Sequence, residues 1–204
     1  MIQKKIKNYI PYKEPIPYLL VKNYFDDKDI ELMLKELRFL TPKMKFQDGK
    51  NLPSKDHKKN TQINLDNLYE NRETSNILNT MNKIYDDSKL IQTLKDMSWF
   101  YQVWGYTNID NTFVAYYENS DYYKAHRDIS VVSIMYRLWE KPKSFEGGNI
   151  HLTDYDIEIP LERNQLMIMP SSLNHAVDPV KMIHSVDKFS GMGRYCIVRF
   201  LKLN

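Results

Sequence analysis

After Ser98 the chain changes character, and that change limits the fold more than any other feature. Short runs rich in Val, Ile, Tyr, Phe and Trp alternate with turn residues as far as the C-terminus. The expected strands are Trp99–Trp104, Thr112–Tyr117, Val131–Trp139, Asn149–Leu152, Ile157–Ile159, Gln165–Met169, Asn174–Val177 and Arg194–Leu201. Six to eight strands at this spacing, with no helical period between them, predict a β-sandwich or barrel.

Upstream the period is helical. Tyr18–Phe25 reads as a strand, and Ile30, Met33, Leu34 and Leu37 then share a helix face, with an aspartate ahead of them as N-cap and Pro42 as terminator. Ile77, Met81 and Ile84 form a second face and Leu90, Leu94 and Met97 a third, with Asp86-Asp87-Ser88 between two helices. Residues 43–60 are polar, lysine-rich and broken by Gly49 and Pro53. They read as a loop long enough to serve as a lid. The expected class is therefore mainly β with flanking α-helices. One domain spans 1–204, with a helical support region over about 1–98 and a β core over about 99–204.

Composition narrows the setting. With 42% hydrophobic and 27% charged residues the chain reads as globular. A net charge of +3 demands neither nucleic acid nor membrane as partner. No apolar run approaches the length of a membrane span or a signal peptide. A single cysteine, Cys196, excludes an internal disulfide and fits a reducing cytoplasm. Abundant Lys, Asn, Ile and Tyr point to an AT-rich genome, a viral one included, in which case the host cytoplasm is the setting.

Four segments carry chemistry. In Tyr122-Tyr123-Lys124-Ala125-His126-Arg127-Asp128, an extended backbone sends His126 and Asp128 to one side. One further histidine would complete a two-His, one-carboxylate set of the kind that suits Fe(II) and leaves coordination positions open. Phe145-Glu146-Gly147-Gly148 enters a strand through paired glycines. Pro170-Ser171-Ser172-Leu173-Asn174-His175-Ala176-Val177 follows an apolar strand and places His175 about 50 residues beyond His126. His175 competes with His184, which falls in a loop. His151 reads as a sheet-surface residue and His57 as a solvated one. Gly193-Arg194-Tyr195-Cys196-Ile197-Val198-Arg199-Phe200 is a strand with two arginines five apart, which therefore face opposite ways. Arg194 shares its side with the small Cys196 and Val198 and reads as the inward one, ready to meet an anion. Arg199 reads as the outward one, in a surface ion pair.

Taken in order, Tyr117, Tyr123, His126-x-Asp128, Phe145-Glu146-Gly147-Gly148, Pro170-Ser171 with His175, and Arg194-Tyr195 resemble the prolyl-4-hydroxylase-like branch of the 2-oxoglutarate and Fe(II)-dependent oxygenases. The resemblance covers roughly Tyr116 to Phe200. It implies a double-stranded β-helix, the jelly-roll or cupin-like barrel. It implies that His126, Asp128 and His175 are the metal ligands, that Arg194 pairs with the far carboxylate of 2-oxoglutarate, that Tyr117 hydrogen-bonds the same group, and that Tyr123 lines the pocket. Fe(II), 2-oxoglutarate and O2 are the implied cofactors, with ascorbate in support. The implied reaction hydroxylates a C–H bond, in a protein or peptide residue such as proline. Two other readings stand beside it. One is an oxidative demethylase of alkylated nucleic-acid bases, a family whose two arginines on the last strand share a face. The other is a barrel that binds without catalysis. The sequence departs from the family pattern at Ser120, where glycine is common, and in the longer stretch from His175 to Arg194. Its extra residues, about 181–192, are expected to form a loop at the barrel mouth.

Overall fold

The computed structural model describes residues 6–47 and 57–204. Fourteen strands and four α-helices follow in chain order: β1 (Asn8–Tyr12), β2 (Tyr18–Lys22), α1 (Asp27–Leu40), β3 (Lys45–Gln47), β4 (Lys58–Asn64), α2 (Leu65–Leu68), α3 (Asn76–Asn82), α4 (Ser88–Met97), β5 (Ile109–Tyr117), β6 (Tyr122–His126), β7 (Val132–Leu138), β8 (Phe145–Gly147), β9 (Ile150–Leu152), β10 (Ile157–Ile159), β11 (Gln165–Pro170), β12 (His175–Val177), β13 (Val180–Met182) and β14 (Arg194–Lys202).

The strands pair in the order β1-β2-β11-β7-β14-β5-β4-β6-β12-β9-β10, with β3 added to β4, and β13 pairs separately with β8. All these pairings are antiparallel. The row curls into a half-barrel because β4 belongs to both halves. Lys58 and Lys59 pair with β6, whereas Thr61 to Asn64 pair with β5. The result is the double-stranded β-helix expected from the sequence, mainly β with helices on one side.

Alternation along the strands sorts side chains into two cores. Val114, Tyr116, Ile134, Tyr136, Leu166, Ile168 and Ile197 face outward, under Ile30, Met33 and Leu37 of α1, Ile77 and Met81 of α3, and Leu90 and Leu94 of α4. Ala115, Tyr117, Met135, Met167, Met169, Cys196 and Val198 face inward and meet Phe145, Ile150, Leu152, Val177 and Val180. Strands β7 and β11 are buried on both faces, which is why they read as unbroken apolar runs.

The helices begin where the sequence signals them. Asp26 caps α1 by accepting from the Asp29 amide at 2.8 Å, and Asp87 caps α4 through the Leu90 amide at 3.0 Å. Thr41-Pro42-Lys43 turns α1 into one 3₁₀ turn and stops it.

Three expectations are corrected. Trp99–Trp104 is not a strand but part of a 3₁₀ helix, Trp99–Tyr106. Ser98 caps it by accepting from the Phe100 amide, and Tyr101 and Trp104, three apart, are the buried pair. The segment 43–60 contains β3 and the start of β4, and the rest of the expected lid, 48–56, lies outside the described residues. The stretch 181–192 begins inside β13 and then lines a separate cavity with Lys59, Glu118 and Asp121, not the barrel mouth. Among the described residues no helix is long and apolar enough to cross a membrane.

Candidate active site

Strands β6 and β12 are hydrogen-bonded neighbours, and His126 lies directly opposite His175 in their register. Asp128 follows β6 by two residues, held by its amide donating to Ser171 O at 3.0 Å. The ligand atoms of His126, Asp128 and His175 all lie within 4.8 Å of one another. The Nε2 atoms of His126 and His175 stand 3.5 Å and 3.7 Å from the two carboxylate oxygens.

Each imidazole is fixed from behind. Nδ1 of His126 is 2.9 Å from Lys124 O, and Nδ1 of His175 is 3.0 Å from Leu173 O. A carbonyl can only accept, so both Nδ1 atoms carry a proton, and Nε2 of each ring is the atom turned toward the common centre. Burial alone would push Asp128 up. The hydrogen bond with His126, the charge of His175 and the Ser133 hydroxyl, at 2.6 Å, together hold its carboxyl below the ordinary carboxylate range. Ser133 is backed in turn by Ser171 at 2.8 Å and Ser171 by Ser130 at 2.5 Å. Burial first of all lowers His175. A metal ion requires an ionised carboxylate and would displace any proton at Nε2 of the two rings.

The triad opens into a cavity of about 390 Å³. Its floor is Arg194 with Tyr117 and Cys196, and its walls include Phe113, Met135, Val177 and Phe200. Arg194 is fully buried, and none of its three guanidinium nitrogens has a hydrogen-bond partner among the described residues. It sits across the ladder from Tyr117, with its guanidinium carbon 4.8 Å from the centre of that ring. Such a charge persists in an apolar core only if an anion answers it. The donor set and the orphaned guanidinium thus fit a divalent iron and a dicarboxylate side by side. Gly148 makes room for the arm. A Cβ there would come within 2.8 Å of Arg194 Cδ, and the residue has φ +74°.

Tyr123 stacks on His126 with ring centres 3.6 Å apart, and its hydroxyl is pushed up to about 12, by burial and then by Asp128. His57, expected to be solvated, instead packs edge-on to Tyr123 and lies 6.1 Å from the His126 ring. His151 faces out of the sheet and pairs with Asp178 at 2.8 Å, and His184 is exposed, away from the triad. Arg199 does lie on the opposite face from Arg194. It is not at the surface, however. It is fully buried under the helices, bonded to Thr112 Oγ1 at 2.8 Å and Asn82 Oδ1 at 2.9 Å. That placement separates the two arginines as the spacing predicted and speaks against the demethylase pattern.

Two buried polar residues outside the cavity lining are not among the residues singled out from the sequence. Arg137 and Asn60 are both fully buried, and each has side-chain polar atoms without a partner. Arg137 interrupts the apolar run Val132–Leu138, the same signal that marked Arg194. Asn60 was hidden inside the lysine-rich stretch.

Residues 112–202 match the 2OG-Fe(II) oxygenase superfamily. That segment, most of the β core, is similar to the oxygenases of that superfamily, whose description carries Fe(II) and 2-oxoglutarate, and the fold as a whole is like that of the prolyl 4-hydroxylases. Its fold resembles that of a Pseudomonas putida prolyl-4-hydroxylase with a TM-score of 0.62 at 12% identity, over 92% of this chain and 94% of the other. A Trichoplax adhaerens prolyl hydroxylase, solved with a hypoxia-inducible-factor peptide fragment, also gives 0.62, at 15% identity over 91% and 83%. A viral collagen prolyl hydroxylase from Paramecium Bursaria Chlorella virus-1 gives 0.52, at 14% identity over 90% and 94%. No curated protein matches the chain in sequence.

Proposed function

We propose that His126, Asp128 and His175 hold the Fe(II), that Arg194 and Tyr117 receive the distal carboxylate of 2-oxoglutarate, and that the enzyme hydroxylates a protein or peptide side chain, proline first among them. The observation that carries this is the buried, unpartnered guanidinium of Arg194 on the floor of the cavity into which the triad opens. When bound, iron and 2-oxoglutarate supply the oxidising power, giving succinate and CO2 as one oxygen atom enters a substrate C–H bond.

The protein's own work is positional. Lys124 O and Leu173 O fix the imidazole tautomers, and Ser133 holds one carboxylate oxygen of Asp128. Tyr123 covers one face of His126, and the apolar walls from Phe113, Met135 and Val177 keep water scarce around the reacting bond. The mouth offers Lys58, Arg127 and an isoleucine, Ile129, that is 93% exposed beside Asp128. A peptide side chain can pack on that isoleucine while its backbone stays outside. The three prolyl hydroxylases of like fold, one of them solved with a peptide fragment, support a peptide substrate. The one cysteine, buried at Cys196, suits a reducing cytoplasm.

The test is succinate formation with Fe(II), ascorbate and 2-oxoglutarate, screened against peptide and nucleic-acid libraries, with His126→Ala alongside. Proline-containing peptides are expected to stimulate turnover in the wild type only. Equal activity in the two proteins would remove His126 from the metal site. Stimulation by alkylated nucleic acid alone would replace the peptide reading.

A further inference from the structure

Eight buried side-chain polar atoms lack a hydrogen-bond partner among the described residues, and six of them belong to Asn60, Arg137 and Arg194. Unmet polar groups in a folded interior call for an explanation, and those of Arg137 and Arg194 belong to diagonal neighbours in the β7–β14 ladder, beside the cavity that Arg194 lines. Arg137 is the less expected of the two newcomers. It lies opposite Cys196 in the ladder between β7 and β14, one step diagonally from Arg194, on the inward face shared with Met135. Cys196 lines the cavity and feels both guanidiniums. Burial pushes its thiol up, while Arg194 and Arg137 each pull it back.

What Arg137 touches is neutral. Its guanidinium donates to Pro160 O at 3.2 Å, to Gln165 Oε1, and toward Met167 Sδ at 3.1 Å. Its Nε has no partner, and among the described residues it forms no ion pair. Burial, then the like charge of Arg194, push it down to about 9. Two cations, both fully buried and neighbouring, make an interior that is incomplete without negative charge.

We propose that Arg137 is a second positioning cation for the bound dicarboxylate, adding its field to that of Arg194 at the distal carboxylate. The proposal rests on the 2-oxoglutarate reading above. The competing role is purely structural, in which Arg137 stitches β7 to the β10–β11 connection and to β11 through Pro160 and Gln165.

Calorimetric binding of 2-oxoglutarate to the Mn(II)-loaded full chain, without turnover, separates the two, with melting temperature measured on the ligand-free protein. Arg137→Met is expected to weaken 2-oxoglutarate about tenfold or more, the scale of one lost charge-assisted interaction. Mn(II) affinity should stay within about twofold, and the ligand-free melting temperature should hold or rise because an uncompensated charge has gone. Arg137→Lys, which keeps charge but not the fork, should recover affinity to within about threefold of wild type. Arg137→Gln supplies the neutral comparison if the Met variant does not fold. Neutral variants that bind 2-oxoglutarate as tightly as wild type, or a Lys variant no better than Met, overturn the proposal and leave the functional reading standing. A wild-type protein that binds Mn(II) but no 2-oxoglutarate overturns both.

Discussion

At the scale of single residues, the site is a set of groups that the rest of the protein holds but does not satisfy. Arg194 is the clearest case, so its replacement should separate stability from binding. Arg194→Met is expected to leave the ligand-free protein as stable as wild type or more so, while 2-oxoglutarate affinity falls at least about tenfold. Paired thermal melts and calorimetry check both halves, and a large drop in melting temperature would mean the guanidinium is already satisfied in the ligand-free fold. Gly148→Ala tests the same arm from the other side. The added methyl meets Arg194 Cδ at 2.8 Å in a backbone conformation hostile to side chains. The KM for 2-oxoglutarate should rise several-fold while metal affinity holds. The arginines also show what a residue-level reading can find. Arg194 was legible because a charge in a strand beside small neighbours implies a partner. Arg137 bore the same mark, in VSIMYRL, but the apolar run around it drew the eye to packing. The triad needed only spacing: His126-x-Asp128 on an extended chain, then a histidine on a strand that could return.

At the scale of elements, the β core and the main helices were readable and the irregular joins were not. Strand β4 was missed because Lys58, Lys59 and Asn60 lack the apolar alternation that marks a strand. Its ladder is set by β5 and β6, which reach it from elsewhere in the chain. Trp99–Tyr106 was misread because aromatic residues favour strands by propensity, whereas its burial has a three-residue period. Arg199 was placed on its correct face but in the wrong medium, since a strand's period says which side a residue takes and nothing of what covers it. The cover is ionic as well as apolar. Asp110, at the start of β5, accepts from Arg72 and Tyr85 and lies 3.8 Å from Arg199. Burial alone would raise its pKa, but the charge of Arg199, with the hydrogen bonds from Tyr85 and Arg72, holds the carboxyl below the ordinary range. A depressed folded pKa means stability that is complete above the unfolded value and lost as pH falls through the folded one. Asp110→Asn should therefore cost ~1–3 kcal/mol at pH 7. Chemical denaturation should show that gap closing as pH drops below about 4. A gap independent of pH would mean the carboxylate is not the stabilising species.

At the scale of the whole molecule, the two cores differ in kind. The outer one, between sheet and helices, is largely apolar, with its buried Arg199 answered by Asp110, and truncating Ile168 to alanine there should lower stability by ~2–5 kcal/mol. The inner one holds two fully buried guanidiniums, Arg137 and Arg194, with no ion-pair partner among the described residues. Mn(II) with 2-oxoglutarate should raise the melting temperature by more than Mn(II) alone, and at a hundredfold excess over Kd each ligand adds about 2.7 kcal/mol. A scan showing no increment from 2-oxoglutarate would contradict the arrangement proposed for the floor.

One strand gives the half-barrel its mechanics. Because β4 starts its ladder against β6 and finishes it against β5, the jaws of the clam share a single rib and cannot part along it without tearing their own backbone bonds. Any yawning must come from the ends of the row, where β1 and β10 have no further strand beyond them among the described residues. Amide exchange should consequently run from these end strands inward, with β14 and β5 last. The rib that joins the jaws is also the one that steadies the strand bearing His126.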